Sequence, residues 1–188
     1  MSSILKVDQL QDSGGNEIIT SNGSGTITVN SQTFKNGITE VDQWRLTANL
    51  TSNTDPISAN LERNDSTGFG YIGTGMSVSS GTWTFPSTGI WLIRAKMNCE
   101  AVSNDNVVLR TRITTDNSTY VTVAEANDSG DGSVTGAGGV MSEFLFDCTD
   151  TSTHKVQFSS TSIGSGSYII GTSSYNTTSF TFVRLGDT

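Results

Sequence analysis

Apolar and polar positions alternate with period two along most of the chain, and the longest such run is Ile90 to Ala101. Trp91, Ile93, Ala95, Met97, Cys99 and Ala101 fall on one side of it; Leu92, Arg94, Lys96, Asn98 and Glu100 fall on the other. Successive side chains of a strand point to opposite faces, so this spacing predicts a long, half-buried β-strand. The same reading predicts strands over residues 43–50, 69–75, 82–85, 107–115, 120–126, 141–148, 154–159, 167–171 and 179–185. Asp116-Asn117-Ser118 is a short turn that makes a hairpin of the fourth and fifth of these. No segment carries a helical period, and eight to ten strands with turns at this spacing predict an all-β sandwich.

The first 35 residues follow a different pattern. Ile4, Val7 and Leu10 are early apolar anchors, and Asp12-Ser13-Gly14-Gly15-Asn16 is a strong turn signal. Glu17-Ile18-Ile19-Thr20 and Thr26-Ile27-Thr28-Val29-Asn30 flank an Asn22-Gly23 turn and predict a small hairpin. A lone hairpin is marginal in water, so this segment needs a partner. The expected division is a docking and oligomerisation segment, 1–38, and a sandwich domain, 39–188, with Ile4, Val7, Leu10, Ile18 and Ile27 as docking residues.

Composition narrows the partners. Hydrophobic residues make up 34% and charged residues only 15%, with Ser, Thr, Asn and 20 Gly filling the rest. Aromatics at 8%, in regular alternation, argue for a folded β protein against disorder. Ten basic residues against eighteen acidic ones give a net charge of −8, which disfavours nucleic acid and anionic membranes. No apolar stretch is long enough to span a bilayer, and the N-terminus lacks the basic and apolar regions of a signal peptide, so synthesis in a cytoplasm is expected. In that setting the Asn-X-Ser/Thr triplets reflect composition, and Cys99 and Cys148 are expected as buried thiols, a disulfide requiring neighbouring strands.

Candidate chemistry is sparse. His154 is the single histidine, at a turn entering a strand, and is expected on the surface outside any triad. Glu100, Asp105, Glu125, Asp128 and Glu143 are the carboxylates from which a glycosidase pair would be drawn. Asp128 and Asp131, in the Gly-rich run Asp128-Ser129-Gly130-Asp131-Gly132, are weak calcium candidates, because hard cations take oxygen ligands. No other cofactor is expected. Loops 103–106, 127–139 and 161–167 are candidates for glycan contact.

Thr82-Trp83-Thr84-Phe85-Pro86-Ser87-Thr88-Gly89-Ile90-Trp91-Leu92-Ile93 resembles the aromatic strand, Gly turn and long strand of the complement globular-head and tumour-necrosis-factor jelly rolls. Ser179-Phe180-Thr181-Phe182-Val183-Arg184-Leu185 resembles that family's Phe-rich last strand, and Tyr71-Ile72-Gly73-Thr74-Gly75 lies where the family often has a short strand. The resemblance covers residues 42–185 and lacks a collagen-like stalk. It implies an antiparallel jelly roll and a homotrimer, with Trp44, Tyr168, Tyr175, Phe180 and Phe182 in trimer or core packing. Residues 4–18 resemble the opening of bacteriophage tail-fibre and appendage proteins, cyanobacterial ones especially. Together these imply a non-enzymatic virion protein, a tail or head fibre. Residues 1–35 would bind other virion proteins, and the jelly roll would face a host receptor or glycan. The alternatives are a capsid decoration protein and, less favoured, a polysaccharide-degrading tail spike.

Overall fold

The structure, a computed structural model, describes residues 9–21, 23–24, 27–29, 37–102, 104–130 and 136–188. The chain divides into two units, Met1–Gly37 and Ile38–Thr188, and every regular element among the described residues is a β-strand.

In the first unit, β1 (Gln9–Gln11), β2 (Glu17–Ser21) and β3 (Ile27–Val29) form an antiparallel sheet in that order. The expected hairpin is there as β2 and β3, but the sheet has a third strand that alternation over so few residues did not reveal. Asp12 creates it. Its Oδ1 accepts the amides of Gly14 (2.8 Å) and Asn16 (2.9 Å), and this turn folds the chain back so that Leu10 pairs with Ile19.

The second unit contains β4 (Val41–Leu46), β5 (Leu61–Arg63), β6 (Ser77–Ser79), β7 (Thr82–Thr84), β8 (Gly89–Ala101), β9 (Asn106–Thr114), β10 (Val121–Ser129), β11 (Gly136–Cys148), β12 (Lys155–Thr161), β13 (Tyr168–Ile169) and β14 (Ser179–Gly186). One sheet runs β11-β8-β14-β4-β5, with β13 paired to the end of β8; the other runs β10-β9-β12-β7-β6. All pairings are antiparallel and most join strands distant in sequence, which is a jelly-roll sandwich. Along β8 burial alternates from Gly89 to Ala101, as its sequence pattern requires. The core between the sheets is aromatic. Trp83 meets Trp44 edge-on at 5.0 Å, and Phe158 stacks on Phe180 at 4.2 Å. Such pairs add about 0.5–1.5 kcal/mol each beyond the area they bury.

Several expected strand limits are corrected. Residues 69–75 are a loop in which Ile72 alone bridges to Val41. Gly73 and Gly75 have φ of 78° and 74°, so their two-residue spacing marks left-handed turns and not a pleat. The first long strand ends at Leu46, and Leu50 only bridges to Ile169. Residues 167–171 shorten to Tyr168–Ile169. The loop expected after residue 127 is shorter, because β10 continues to Ser129 and β11 begins at Gly136.

Candidate functional site

The outward face of the β11-β8-β14-β4-β5 sheet is organised in rows by its hydrogen-bond register. The odd-numbered side chains of β8 enter the core, so the even-numbered ones and their partners face outward. One row reads Leu145, Leu92, Val183, Val41 and Ile72, aliphatic from β11 through β4 and on to the loop bridged to Val41. Its two ends are open, with Leu145 59% and Ile72 48% exposed. The next outward row is polar: Glu143, Arg94, Thr181 and Gln43. Arg94 pairs with Glu143, and Gln43 donates to Thr181 Oγ1 (2.9 Å) and accepts from Asn176 Nδ2 (2.6 Å). The row beyond is Met141, Lys96, Ser179, Arg45 and Glu62.

Buried charges shape the β4 edge of this face. Arg45 projects outward yet is fully covered, because residues 62–66 wrap over it. Its guanidinium donates to Glu62 Oε2 (3.2 Å), Asn64 Oδ1 (3.1 Å), Ser66 Oγ (2.9 Å) and Asp65. On the inner side, Asp42 accepts from Trp44 Nε1 (2.8 Å), the Met76 amide (2.8 Å) and Arg63. The Arg63 guanidinium lies between the rings of Trp44 (5.1 Å) and Tyr71 (5.0 Å). Glu40 Oε2 accepts the amides of Thr74 (2.9 Å) and Gly75 (3.0 Å). The two carboxylates also occupy the space that a Cβ at Gly73 or Gly75 would need. The loop carrying Ile72 is therefore held to the sheet by three backbone amides and a stacked cation.

The other sheet's outward face differs. Thr82 accepts from Gln157, Thr84 from Lys155, and Arg110 pairs with Glu125. Of the exposed large apolar side chains, Val121 alone belongs to its strands.

The residues picked from the sequence separate into groups. Trp44, Phe180 and Phe182 pack in the core of the single chain, as the edge-on contact of Trp44 and the full burial of both phenylalanines show. Tyr175 is 64% exposed. Tyr168 is half-buried, and its hydrogen bond to Glu100 holds its phenol above the usual tyrosine range. In the first unit Leu10 and Ile19 are exposed register partners, Ile18 is half-buried, and Ile27 pairs with Ser21. Ile4 and Val7 lie outside the described residues, as does Asp131.

The described parts of the three loops expected to contact glycan converge at one end of the sandwich, opposite Val41 and Gly186; residues 103 and 131–135 lie outside the described residues. The Asp105 carbonyl accepts the Gly130 amide (3.0 Å), and Asp105 Oδ2 accepts Ser167 Oγ–H (2.5 Å). Ser167 Oγ in turn accepts the Val102 amide (2.9 Å). Asp128 is a strand residue, its Oδ1 on the Ser129 amide (2.9 Å) and its side chain over Gly138. Among the described residues no three metal-ligating side chains cluster. Glu125 and Glu143 are engaged by arginines, Glu100 by Tyr168 and Asp105 by Ser167.

His154 is half-buried beside the Phe146 ring (5.6 Å), its nitrogens on the hydroxyls of Thr149 (3.2 Å) and Thr153 (3.0 Å). Cys99 and Cys148 are fully buried free thiols, each pushed up to about 11 by burial. Cys148 pairs with Gly89 at one end of β8 and Cys99 lies near the other, about 33 Å away at strand rise, so they cannot be bridged. The wrapped Arg45 and the buried Asp42 were missed from sequence. The only signal was two charges inside the apolar run Val41-Asp42-Gln43-Trp44-Arg45-Leu46.

Comparison with solved structures places this fold. The Eiger TNF of S. frugiperda superposes with a TM-score of 0.59 at 11% identity, covering 79% of this chain and 93% of that one. Murine APRIL at pH 5.0 gives 0.56 at 11% identity, covering 78% and 98%. The globular domain of zebrafish complement 1qA protein gives 0.54 at 11% identity, covering 79% and 99%. No protein-family model and no curated protein matches the sequence. The second unit is thus a jelly roll of the tumour-necrosis-factor and complement-globular-head type, the fold its aromatic and glycine pattern implied.

Proposed function

We propose that this chain is a non-enzymatic structural protein that assembles as a homotrimer through the outward face of the β11-β8-β14-β4-β5 sheet. The observation that carries this reading is the difference between the two outer faces. One has an aliphatic row running from β11 over β8, β14 and β4 to the Ile72 loop, open at both ends; on the strands of the other sheet the one exposed large apolar side chain among the described residues is Val121, the register partner of the core residue Ile113. Exposed contiguous apolar surface marks an interaction site. In this arrangement the convergent loops around Asp105 and Ser167 are left free to meet a receptor or glycan. The N-terminal unit, with Leu10 and Ile19 exposed, docks on a larger particle. Its resemblance to phage appendage openings makes a virion fibre the favoured setting.

Sedimentation equilibrium tests the assembly. The wild type is expected as a species of three 19.9 kDa chains. Leu145→Glu should shift it towards monomer, and Val121→Glu, an aliphatic position on a strand of the other sheet that is also half or more exposed, should leave it trimeric. A monomeric wild type, or equal behaviour of the two variants, refutes the reading. For the docking role, removing residues 1–37 should keep the trimer and abolish incorporation into particles; retained incorporation counts against it.

A further inference from the structure

The loop of residues 65–75 presents an aromatic ring to solvent, and we infer that Tyr71, with Phe69 beside it, is a stacking site for one neutral pyranose of a glycan. The inference rests on the host-contact part of the reading above and not on the trimer. Tyr71 is 50% exposed although the Arg63 guanidinium lies 5.0 Å from its ring centre. That cation occupies one face, so the exposed surface is the other face and the rim. Phe69 is half-buried and offset beside it, with ring centres 6.5 Å apart and planes at 29°. Gly68 and Gly70 are exposed, and nothing lies within 4 Å of where their Cβ atoms would be, so the loop leaves open space on both sides of Phe69. Tyr71 and Ile72 belong to different sides of the sheet. Ile72 bridges Val41 in the outward row, whereas Tyr71 stacks on Arg63, the partner of the inward Asp42. The ring therefore stands off the assembly row.

A pyranose carries C–H groups on its face and hydroxyls at its rim. It is recognised by a flat apolar surface with a few hydrogen-bonding groups around it. A ring fixed before binding loses little freedom on stacking. Tyr71 is so fixed, because Asp42 and the Met76 carbonyl (2.7 Å) grip Arg63, and Glu40 Oε2 holds the amides of Thr74 and Gly75. The same frame has capacity left over. No hydrogen bond among the described residues uses Arg63 Nη1 or Glu40 Oε1, and the Arg63 side chain is 32% exposed. Nη1 is a donor to one sugar hydroxyl and Oε1 an acceptor from another. Charge narrows the class of occupant. At this edge Glu40, Asp42, Glu62 and Asp65 stand against only Arg45 and Arg63, so the surroundings are net negative. They favour a neutral sugar over a uronic or sialic acid, and they disfavour a second copy of a chain whose net charge is −8.

Saturation-transfer NMR on the full chain tests the site, with methyl β-glucoside, methyl β-galactoside, methyl α-mannoside and N-acetylglucosamine as probes at millimolar concentration. At least one should receive saturation, most strongly at its ring C–H protons. Tyr71→Ala should weaken that binding about tenfold or more, the loss of one aromatic anchor. Tyr71→Phe should keep it, and so should Asp105→Asn in the loops at the other end of the sandwich. Sedimentation of Tyr71→Ala should match the wild type. Saturation of none of the probes overturns the site. Binding that survives Tyr71→Ala but is lost in Asp105→Asn overturns it too, and leaves the host-contact reading standing. Glucuronate bound more tightly than the glucoside overturns the neutral class. A changed oligomeric state in Tyr71→Ala assigns the ring to the assembly contact and overturns the inference.

Discussion

Asp42 and Arg63 meet at the rim of the core with the carboxylate 1% exposed. Arg63 Nε lies 3.1 Å from Oδ1 and Nη2 lies 3.0 Å from Oδ2. Asp42 also satisfies the indole of Trp44 and the amide of Met76, so one side chain serves a cation, a ring and the backbone. Removing it leaves all three donors without their acceptor. Asp42→Ala should therefore destabilise the chain by about 3–5 kcal/mol, the range for breaking a buried pair by deleting one partner. Urea unfolding measures it, and a loss below 1 kcal/mol would show that water replaces the carboxylate.

The aromatic positions divide by burial, and stability should divide with them. Phe180 is fully buried and stacked on Phe158, so Phe180→Ala should cost about 3–5 kcal/mol through lost contacts and a cavity. Tyr175, largely exposed, should change stability by no more than about 0.5 kcal/mol on truncation to Ala. Thermal melts of the two variants compare them directly. Similar losses would contradict the core described here.

Both thiols should be silent to an aqueous thiol reagent in the native protein at pH 8, and two per chain should react after denaturation. Their pKa values are raised to about 11 from an ordinary 9.0, chiefly by desolvation. A raised value means that the unfolded chain ionises first. The contribution is intact below pH 9 and is lost between pH 9 and about 11, so alkaline titration should lower the melting temperature across that window. Replacing both cysteines by Ala should flatten this part of the curve, and an unchanged slope would rule the thiols out as its cause.

At acid pH, below about 3.8, the hairpin turn between β9 and β10 should loosen progressively. Asp116 accepts the amides of Thr119 (2.7 Å) and Ser118 (2.9 Å) and the hydroxyl of Thr114 (2.7 Å). These bonds, the Thr119 amide foremost, hold its carboxyl well below the ordinary 3.8. A lowered value gives stability that is present above pH 3.8 and lost as pH falls further. Hydrogen exchange at the Ser118 and Thr119 amides, corrected for intrinsic pH dependence, should lose protection below pH 3.8 in the wild type. Protection in Asp116→Asn should not vary over that range.

Much of the sandwich is legible from its residues because burial and the period of two coincide where a strand lies between two others. β8 is flanked by β11 and β14 and covered by the facing sheet, so Trp91 to Ala101 must alternate. The assembly face is hard to read for the converse reason. Leu145, Leu92, Val183, Val41 and Ile72 come from five distant places in the sequence and form a row only through register. Arg45 alternates with Trp44 and Leu46 in sequence, and nothing local announces that residues 62–66 close over it. Gly73 and Gly75 imitated alternation because left-handed turns and a pleat can share a two-residue spacing. β1 escaped notice because three residues are too few to show a period.

Glu40 and Asp42 hold the loop of Ile72 through the amides of residues 74–76, which every residue but proline possesses. The shape of the loop is thereby uncoupled from the identity of its exposed tip. Thr74 can be exchanged without moving its neighbours, provided Gly73 and Gly75 stay. Relatives of this chain can thus vary what the edge displays while keeping where it is displayed.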